Sequence, residues 1–84
     1  MSEENLPLSE RVLLILHNLC AANQMMAKKS DELAQVLQSD VNEVNQILDG
    51  HESKGYTLSF TDNEGNRRHY LTGVGIIRVC SFFT

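Results

Sequence analysis

The sequence is short of the residues that mark several classes of protein. Its 84 residues include two cysteines, one proline and no tryptophan. Two cysteines sixty positions apart do not make the framework of a disulfide-rich secreted domain, so we expect a reducing, cytoplasmic setting. The apolar run Val12–Leu16 has only five members, whereas a membrane span needs about 20. These scarcities favour one small domain over residues 1–84, neither secreted nor inserted in a membrane.

Basic residues are also outnumbered. Seven Lys and Arg stand against 11 Asp and Glu, which gives a formal net charge of −4. Such a balance argues against a protein that coats nucleic acid through charge alone. The charge is unevenly spread, however, because residues 30–55 hold six carboxylates and one lysine. Basic pairs flank that stretch at Lys28–Lys29 and Arg67–Arg68, so the total does not exclude DNA binding.

Apolar residues recur with a helical period near the start of the chain. Their spacing of i, i+3, i+4 and i+7 predicts a helix over residues 8–22, after a flexible tail over residues 1–7. Leu13 and Leu14 widen the apolar face beyond one stripe, so later elements or a second subunit must cover it. The periodic residues are Val12, Ile15, Leu16 and Leu19.

Residues 30–55 have the pattern of a helix-turn-helix. Ser30, followed by two acidic residues, is typical of an N-cap. Asp40 with Glu43 three positions later begins the next helix, and Gly55 is the expected left-handed residue at its end. The apolar faces comprise Leu33, Val36 and Leu37 on the first of these helices, and Val41, Val44, Leu48 and His51 on the second.

The period changes from 3.6 to 2 after Gly55. Alternation of apolar and hydroxyl side chains from Tyr56 to Thr61 predicts a strand, and the turn-forming residues 62–66 predict a hairpin with a returning strand. This hairpin forms a wing over residues 56–71. Thr72 is the expected cap of a last helix over residues 73–83.

The segment RRHYLTGVGI resembles the wing-to-helix junction of MarR-type and PadR-type regulators, in which an R-x-Y-x-L-T-x-x-G string is common. The matching residues are Arg68, Tyr70, Leu71, Thr72 and Gly75, with the spacing slightly compressed. With the helix-turn-helix segment, the resemblance covers residues 9–84. It implies an α+β winged helix-turn-helix: a three-helix core, a short strand, a two-stranded wing and a short C-terminal helix. It also implies a small prokaryotic or archaeal transcriptional regulator that binds DNA.

In such regulators the third helix enters the major groove and the wing touches the DNA backbone. The resemblance therefore implies two sets of contacts here. Amide side chains can pair with adenine, and basic side chains can bind phosphates. The base-reading candidates are Asn42, Asn45 and Gln46, and the backbone candidates are Lys28, Lys29, Lys54, Arg67, Arg68 and His69.

The third helix departs from this pattern because it lacks arginine and is acidic. A protein-interaction winged helix, docking through the acidic third helix or the apolar last helix, is therefore the alternative. The surplus of apolar residues on the first and last helices predicts a homodimer built from both. Two adjacent residues, Phe82 and Phe83, cannot both face one core.

The remaining reactive side chains favour structural roles. His51 occupies a core position, which predicts a hydrogen bond to a backbone carbonyl, with a pH-sensing role as the alternative. Cys20 and Cys80 are expected to be buried structural residues rather than metal ligands or redox sensors, because no metal-binding spacing is present. We recognise no catalytic constellation, and we expect neither an enzyme nor a cofactor.

Overall fold

The helices and strands follow the order that the sequence predicts. The computed structural model describes residues 6–83, so residues 1–5 of the expected tail lie outside the described part. The elements are α1 (Leu8–Asn18), β1 (Lys28–Lys29), α2 (Ser30–Leu37), α3 (Val41–Ser53), β2 (Thr57–Thr61), β3 (Arg67–Leu71) and α4 (Gly73–Cys80). Single 3-10 turns occupy Gln24–Met26 and Ser81–Phe83. The α+β class and the helix–strand–helix-turn-helix–wing order are confirmed.

The strands form an antiparallel sheet with β3 in the middle, in the order β1-β3-β2. In the wing, Thr57 lies opposite Leu71 and Ser59 opposite His69. The turn between β2 and β3 is closed by the amide of Asp62, which donates to the carbonyl of Asn66 at 2.8 Å. Gly65 supplies the positive φ of +85° that this turn requires.

The hydrophobic core lies between α1, α2, α3 and the sheet. Leucines from four elements are nearly inaccessible there: Leu16, Leu33, Leu48 and Leu71. Leu13 and Leu14 of α1 are also buried within this chain, and α4 packs against α1. Later elements therefore cover the wide apolar face of α1, which is one of the two possibilities that the sequence leaves open.

The predicted end signals of the helices are largely confirmed. The Asp40 carboxylate accepts from the amide of Glu43 at 3.3 Å, and Thr72 Oγ1 accepts from the amide of Gly75 at 3.0 Å. Gly55 has a φ of +81°. The prediction at Ser30 is wrong by one position, because Ser30 is the first residue of α2 and Lys29 precedes it.

The first helix ends at Asn18 instead of continuing to residue 22. Cys20 adopts a left-handed conformation with φ +59°, and the next amide, that of Ala21, donates back to the carbonyl of Leu16 at 2.8 Å. This reversal buries Ala21 and lets its carbonyl accept from the amide of Leu71 at 2.7 Å. A long-range contact to the sheet thus ends a helix whose local periodicity would continue.

The buried face of α2 also differs from the expectation. Leu33 and Leu37 are buried as predicted, but Val36 is 56% exposed and Ala34 takes the third buried position. At about 100° per residue, Leu33, Ala34 and Leu37 share one side of the helix, and Val36 points about 100° away from its centre. The small side chain of Ala34 suits the packing of α2 against α3.

The C-terminal helix is shorter and more exposed than expected. It ends at Cys80, and Val74 and Ile77 lie on its solvent side, with Ile77 71% exposed. Phe82 is buried and Phe83 is exposed, which confirms that the two rings cannot share one core. The prediction of buried structural cysteines is wrong, because Cys20 and Cys80 are both exposed.

Two glycines provide a matched test of the wing-to-helix junction. A Cβ at Gly75 would collide with the backbone carbonyl of Tyr56, which already accepts from Thr72, whereas a Cβ at Gly50 would meet nothing within 4 Å. We expect Gly75→Ala to lower the free energy of unfolding by about 1–3 kcal/mol. Gly50→Ala should raise it by about 0.5–1 kcal/mol through helix propensity. Urea denaturation of both variants would check this, and equal effects would contradict the close approach.

Candidate nucleic-acid interface

A groove runs between α3, the wing and the start of α2. Its walls include Lys29 on β1, Asp31 in the first turn of α2, Asn45 on α3, and Asn66 and Arg67 on the wing. The chain separations among these residues are large, so the groove exists only because β1 pairs with β3 and α3 packs against β2. It brings one predicted base-reading residue together with two predicted backbone-binding residues.

The outer face of α3 presents amides. Asn42 and Gln46 are exposed, and Asn45 is half-buried against the groove. Residues spaced three and four apart lie on one side of a helix, so these amides and Asp49 form one continuous face. Each amide offers an acceptor and two donors, which match the N7 acceptor and N6 donor of adenine in the major groove. The face is therefore chemically able to read bases, and Asn42 and Gln46 on it are exposed.

Arg67 is held against α3 by the residues around it. Its Nη1 donates to Asp49 Oδ1 at 3.0 Å, and its Nη2 donates to Glu52 Oε1 at 3.4 Å. Its Nε donates to Ser59 Oγ at 3.1 Å. All three nitrogens of the guanidinium are thus engaged within the chain. We call Arg67, Asp49, Glu52 and Ser59 the Arg67 cluster.

Arg68 is also engaged, but on the other face of the wing. Its Nε donates to Asp62 Oδ2 at 2.6 Å and its Nη1 to the carbonyl of Ala27 at 3.3 Å, with Glu32 Oε1 3.7 Å away. The guanidinium, together with amides of the wing turn, lowers the pKa of Asp62, and the same contact raises the pKa of Arg68. Arg68 therefore links the wing to α2 and to Ala27, the residue before β1.

Among the predicted backbone contacts, the three lysines are the cations without a carboxylate partner in the described part of the chain. Lys28 and Lys29 are half-buried on β1, and Lys54 is exposed at the end of α3. Within residues 6–83 no carboxylate lies within 4 Å of any of the three ammonium groups. Of the predicted backbone contacts, these three fit the role best, whereas Arg67 and Arg68 would first have to leave their carboxylates.

His69 is a correction to the predicted set, because only 1% of it is exposed and it cannot reach a DNA backbone. It lies on the inward side of β3, two residues from buried Leu71, and alternation along the strand turns both side chains to the same face. Burial and then Arg67 lower the pKa of His69, while Glu52 and Asp49 oppose the shift. Its Nδ1 has no hydrogen-bond partner among the described residues.

His51 takes the structural role that the sequence predicts. Its Nε2 lies 2.7 Å from the carbonyl oxygen of Ser9, which links α3 to the start of α1. Burial lowers the pKa of His51, with smaller opposing and reinforcing effects from the Ser9 carbonyl and from Lys54 and Arg78. The hydrogen bond to a backbone carbonyl is confirmed.

Sequence reasoning missed the groove residue Asn66 and the carboxylates that engage the arginines. Asp49 and Arg67 are 18 positions apart, so no local pattern joins them. The one available signal was the opposite charge of the two segments: an acidic stretch and a basic wing in one small domain are expected to pair. That signal indicates attraction but not which residues meet.

Metal-binding clusters and membrane-spanning helices are both absent from the part of the chain that the structure describes. Across residues 6–83, no group of three or more His, Cys, Asp or Glu side chains is arranged to hold a metal ion. None of the helices described combines the length and apolar composition that crossing a bilayer requires.

The helix-turn-helix followed by a β-hairpin defines a winged helix-turn-helix domain, and solved structures match it. MepR, a transcription regulator of the Staphylococcus aureus multidrug efflux pump MepA, aligns with a TM-score of 0.76 at 23% identity, over 89% of this chain and 53% of MepR. The S. aureus MepR–DNA complex gives 0.77 at 20% identity, over 96% and 64% of the two chains. TubR from Bacillus megaterium pBM400 gives 0.75 at 20% identity, over 92% and 86%.

These matches establish the fold and confirm the resemblance to winged-helix transcription regulators. The chain spans a little over half the length of the MepR structure and most of the length of TubR. No family model and no curated protein sequence matches the chain.

The two buried histidines predict that acid destabilises the fold. Their pKa values are lowered in the folded chain, so below the ordinary value near 6.5 the unfolded chain binds protons that the folded chain resists. The free energy of unfolding should therefore fall as pH drops from about 6.5, and His51→Leu should remove part of this dependence. Urea denaturation at a series of pH values measures it, and an equally steep decline in His51→Leu would contradict the assignment to His51.

Proposed function

We propose that this protein is a DNA-binding transcription regulator of the winged-helix type, which inserts α3 into the major groove and places the wing on the backbone. The observation that carries the proposal is the uncovered amide face of α3, Asn42 to Gln46, beside a groove that contains Lys29. The MepR–DNA complex, which aligns over 96% of this chain, supports it. Such a regulator would act in the cytoplasm.

The carboxylates of residues 30–55 oppose DNA binding less than the sequence alone implies. Asp49 and Glu52 are paired with Arg67, and Glu32 lies near Arg68. Asp40 caps its own helix, where a negative charge is favourable. Lys28, Lys29 and Lys54 are left to bind phosphates, which supplies much of the affinity of such proteins for DNA.

The regulator would act as a homodimer through α4 and the adjoining part of α1. Val74, Ile77, Cys80 and Phe83 recur every third residue and are all exposed. An apolar row of this kind on a terminal helix suits pairing across a two-fold axis. A dimer would present two copies of α3 and two sets of lysines to one duplex.

A protein-interaction module is the second candidate, and it has less support. In that role α3 would offer its carboxylates to a basic partner. Because Asp49, Glu52 and Asp40 already have partners within the chain, Glu43 is the principal carboxylate of α3 left for such a contact.

Asn42→Ala tests base reading by α3. The probe is a duplex selected by the wild-type protein from a random-sequence library at low salt. Loss of one bidentate amide–adenine pair should weaken binding to that duplex by about 1–3 kcal/mol, measured by fluorescence anisotropy. Asn18→Ala, which removes an exposed asparagine of α1, is the matched control and should bind like the wild type. If no duplex is bound even at low salt, where electrostatic attraction is strongest, the proposed function is wrong.

Ile77→Glu tests the dimer. Because Ile77 is 71% exposed in the chain alone, the substitution should leave the far-ultraviolet circular dichroism spectrum unchanged while placing a charge in the subunit contact. We expect sedimentation at micromolar concentration to give a dimer for the wild type and a monomer for Ile77→Glu. Met25→Glu alters another highly exposed apolar residue, outside α1 and α4, and should remain a dimer. A monomeric wild type would disprove the proposed assembly.

A further inference from the structure

We infer that Asp49 and Glu52 are specificity-determining residues of the interface, because they withhold Arg67 from phosphates and guanines and leave recognition to the amides of α3. This inference rests on the proposed function, and it names the kind of duplex preferred: one that presents adenine in the major groove. The evidence is the geometry of the Arg67 cluster.

The position of Arg67 would suit it for DNA contact if it were unpaired. It shares the groove with Asn45, and its side chain is 45% exposed. Guanine presents two acceptors in the major groove, O6 and N7, which an arginine fork matches. A free guanidinium here would therefore add affinity for any phosphate and a preference for G·C pairs.

The Arg67 cluster disfavours contact of Arg67 with phosphates and with guanines. Its Nη1, Nη2 and Nε each donate within the chain, to Asp49, Glu52 and Ser59 respectively. The two carboxylates lie three positions apart on α3 and accept hydrogen bonds from different nitrogens of the guanidinium. A phosphate or a guanine would have to compete with these two carboxylates for the guanidinium.

No residue of α3 can supply the cationic contact that Arg67 is prevented from making. From Val41 to Ser53 the helix contains no lysine or arginine, and Lys54 comes after its last turn. Base-edge contacts from this helix must therefore come mainly from Asn42, Asn45 and Gln46, whose amides match adenine. With few cations free, total affinity should depend on the fit of these amides rather than on charge.

The experiment compares two double variants that each remove two negative charges. Asp49→Ala with Glu52→Ala removes the carboxylates of the cluster without adding an amide to the face, whereas Asp31→Ala with Glu43→Ala removes two exposed carboxylates that have no cation within 4 Å. Each protein is titrated with two duplexes of equal length, one of A·T pairs and one of G·C pairs, both with mixed base steps, over a range of salt concentrations.

The wild type should prefer the A·T duplex. The cluster variant should bind both duplexes more tightly than the charge control and discriminate less between them. Its salt dependence should be steeper by about one phosphate contact per subunit, a change of about 0.9 in slope for each subunit bound. Adding Arg67→Ala to the cluster variant should abolish this excess over the control. Circular dichroism verifies that every variant is folded.

Two results would overturn the inference while leaving the proposed function intact. One is a cluster variant that matches the charge control in affinity, discrimination and salt dependence. The other is a wild type that binds DNA but prefers the G·C duplex. Absence of DNA binding by the wild type, even at low salt, would overturn both proposals together.

Discussion

The register of β3 is the constraint on which the interface depends. Successive side chains of a strand face opposite sides, so the burial of Leu71 also turns His69 and Arg67 toward α3 and turns Arg68 toward the other face. This register buries His69, a predicted DNA contact, and brings Arg67 to Asp49 and Glu52. It sends the other arginine to Asp62 and Glu32. A shift of one residue would exchange these partners and expose Leu71.

The same register explains why the charge pattern of the sequence is misleading by itself. The acidic stretch and the basic wing are separate blocks along the chain, but in the fold Arg67 lies between two carboxylates of α3, and Arg68 lies between Glu32 of α2 and Asp62 of the wing turn. Exposed ion pairs of this kind contribute little to stability, about 0–1 kcal/mol each. Their larger effect is on binding, since each paired arginine is a cation that a phosphate must compete for.

Local signals in the sequence predict most of the fold, because caps, turns and periodicity act over a few residues. Asp40, Gly55 and Thr72 mark helix boundaries correctly, alternation identifies the first strand of the wing, and the turn-forming residues after it identify the returning strand. The errors come from long-range contacts. The helix α1 ends early, and the carbonyl of Ala21 accepts a hydrogen bond from the amide of Leu71 in the sheet. The strand register buries His69. The pairing of Arg67 with Asp49 depends on the approach of α3 to the wing, which no short-range pattern encodes.

A negative total charge is compatible with DNA binding because electrostatic influence is local. At physiological salt the Debye length is about 8 Å, whereas the molecule is 38 Å long. Carboxylates remote from the groove, such as Glu10 on α1, are therefore largely screened from a bound phosphate. The relevant balance is that around the groove, where Lys29 lies beside Asp31 and where Arg67 is already offset by its partners. A two-fold dimer would repeat this nearly even balance in each subunit, so the fit of bases, more than charge, would have to distinguish one DNA site from another.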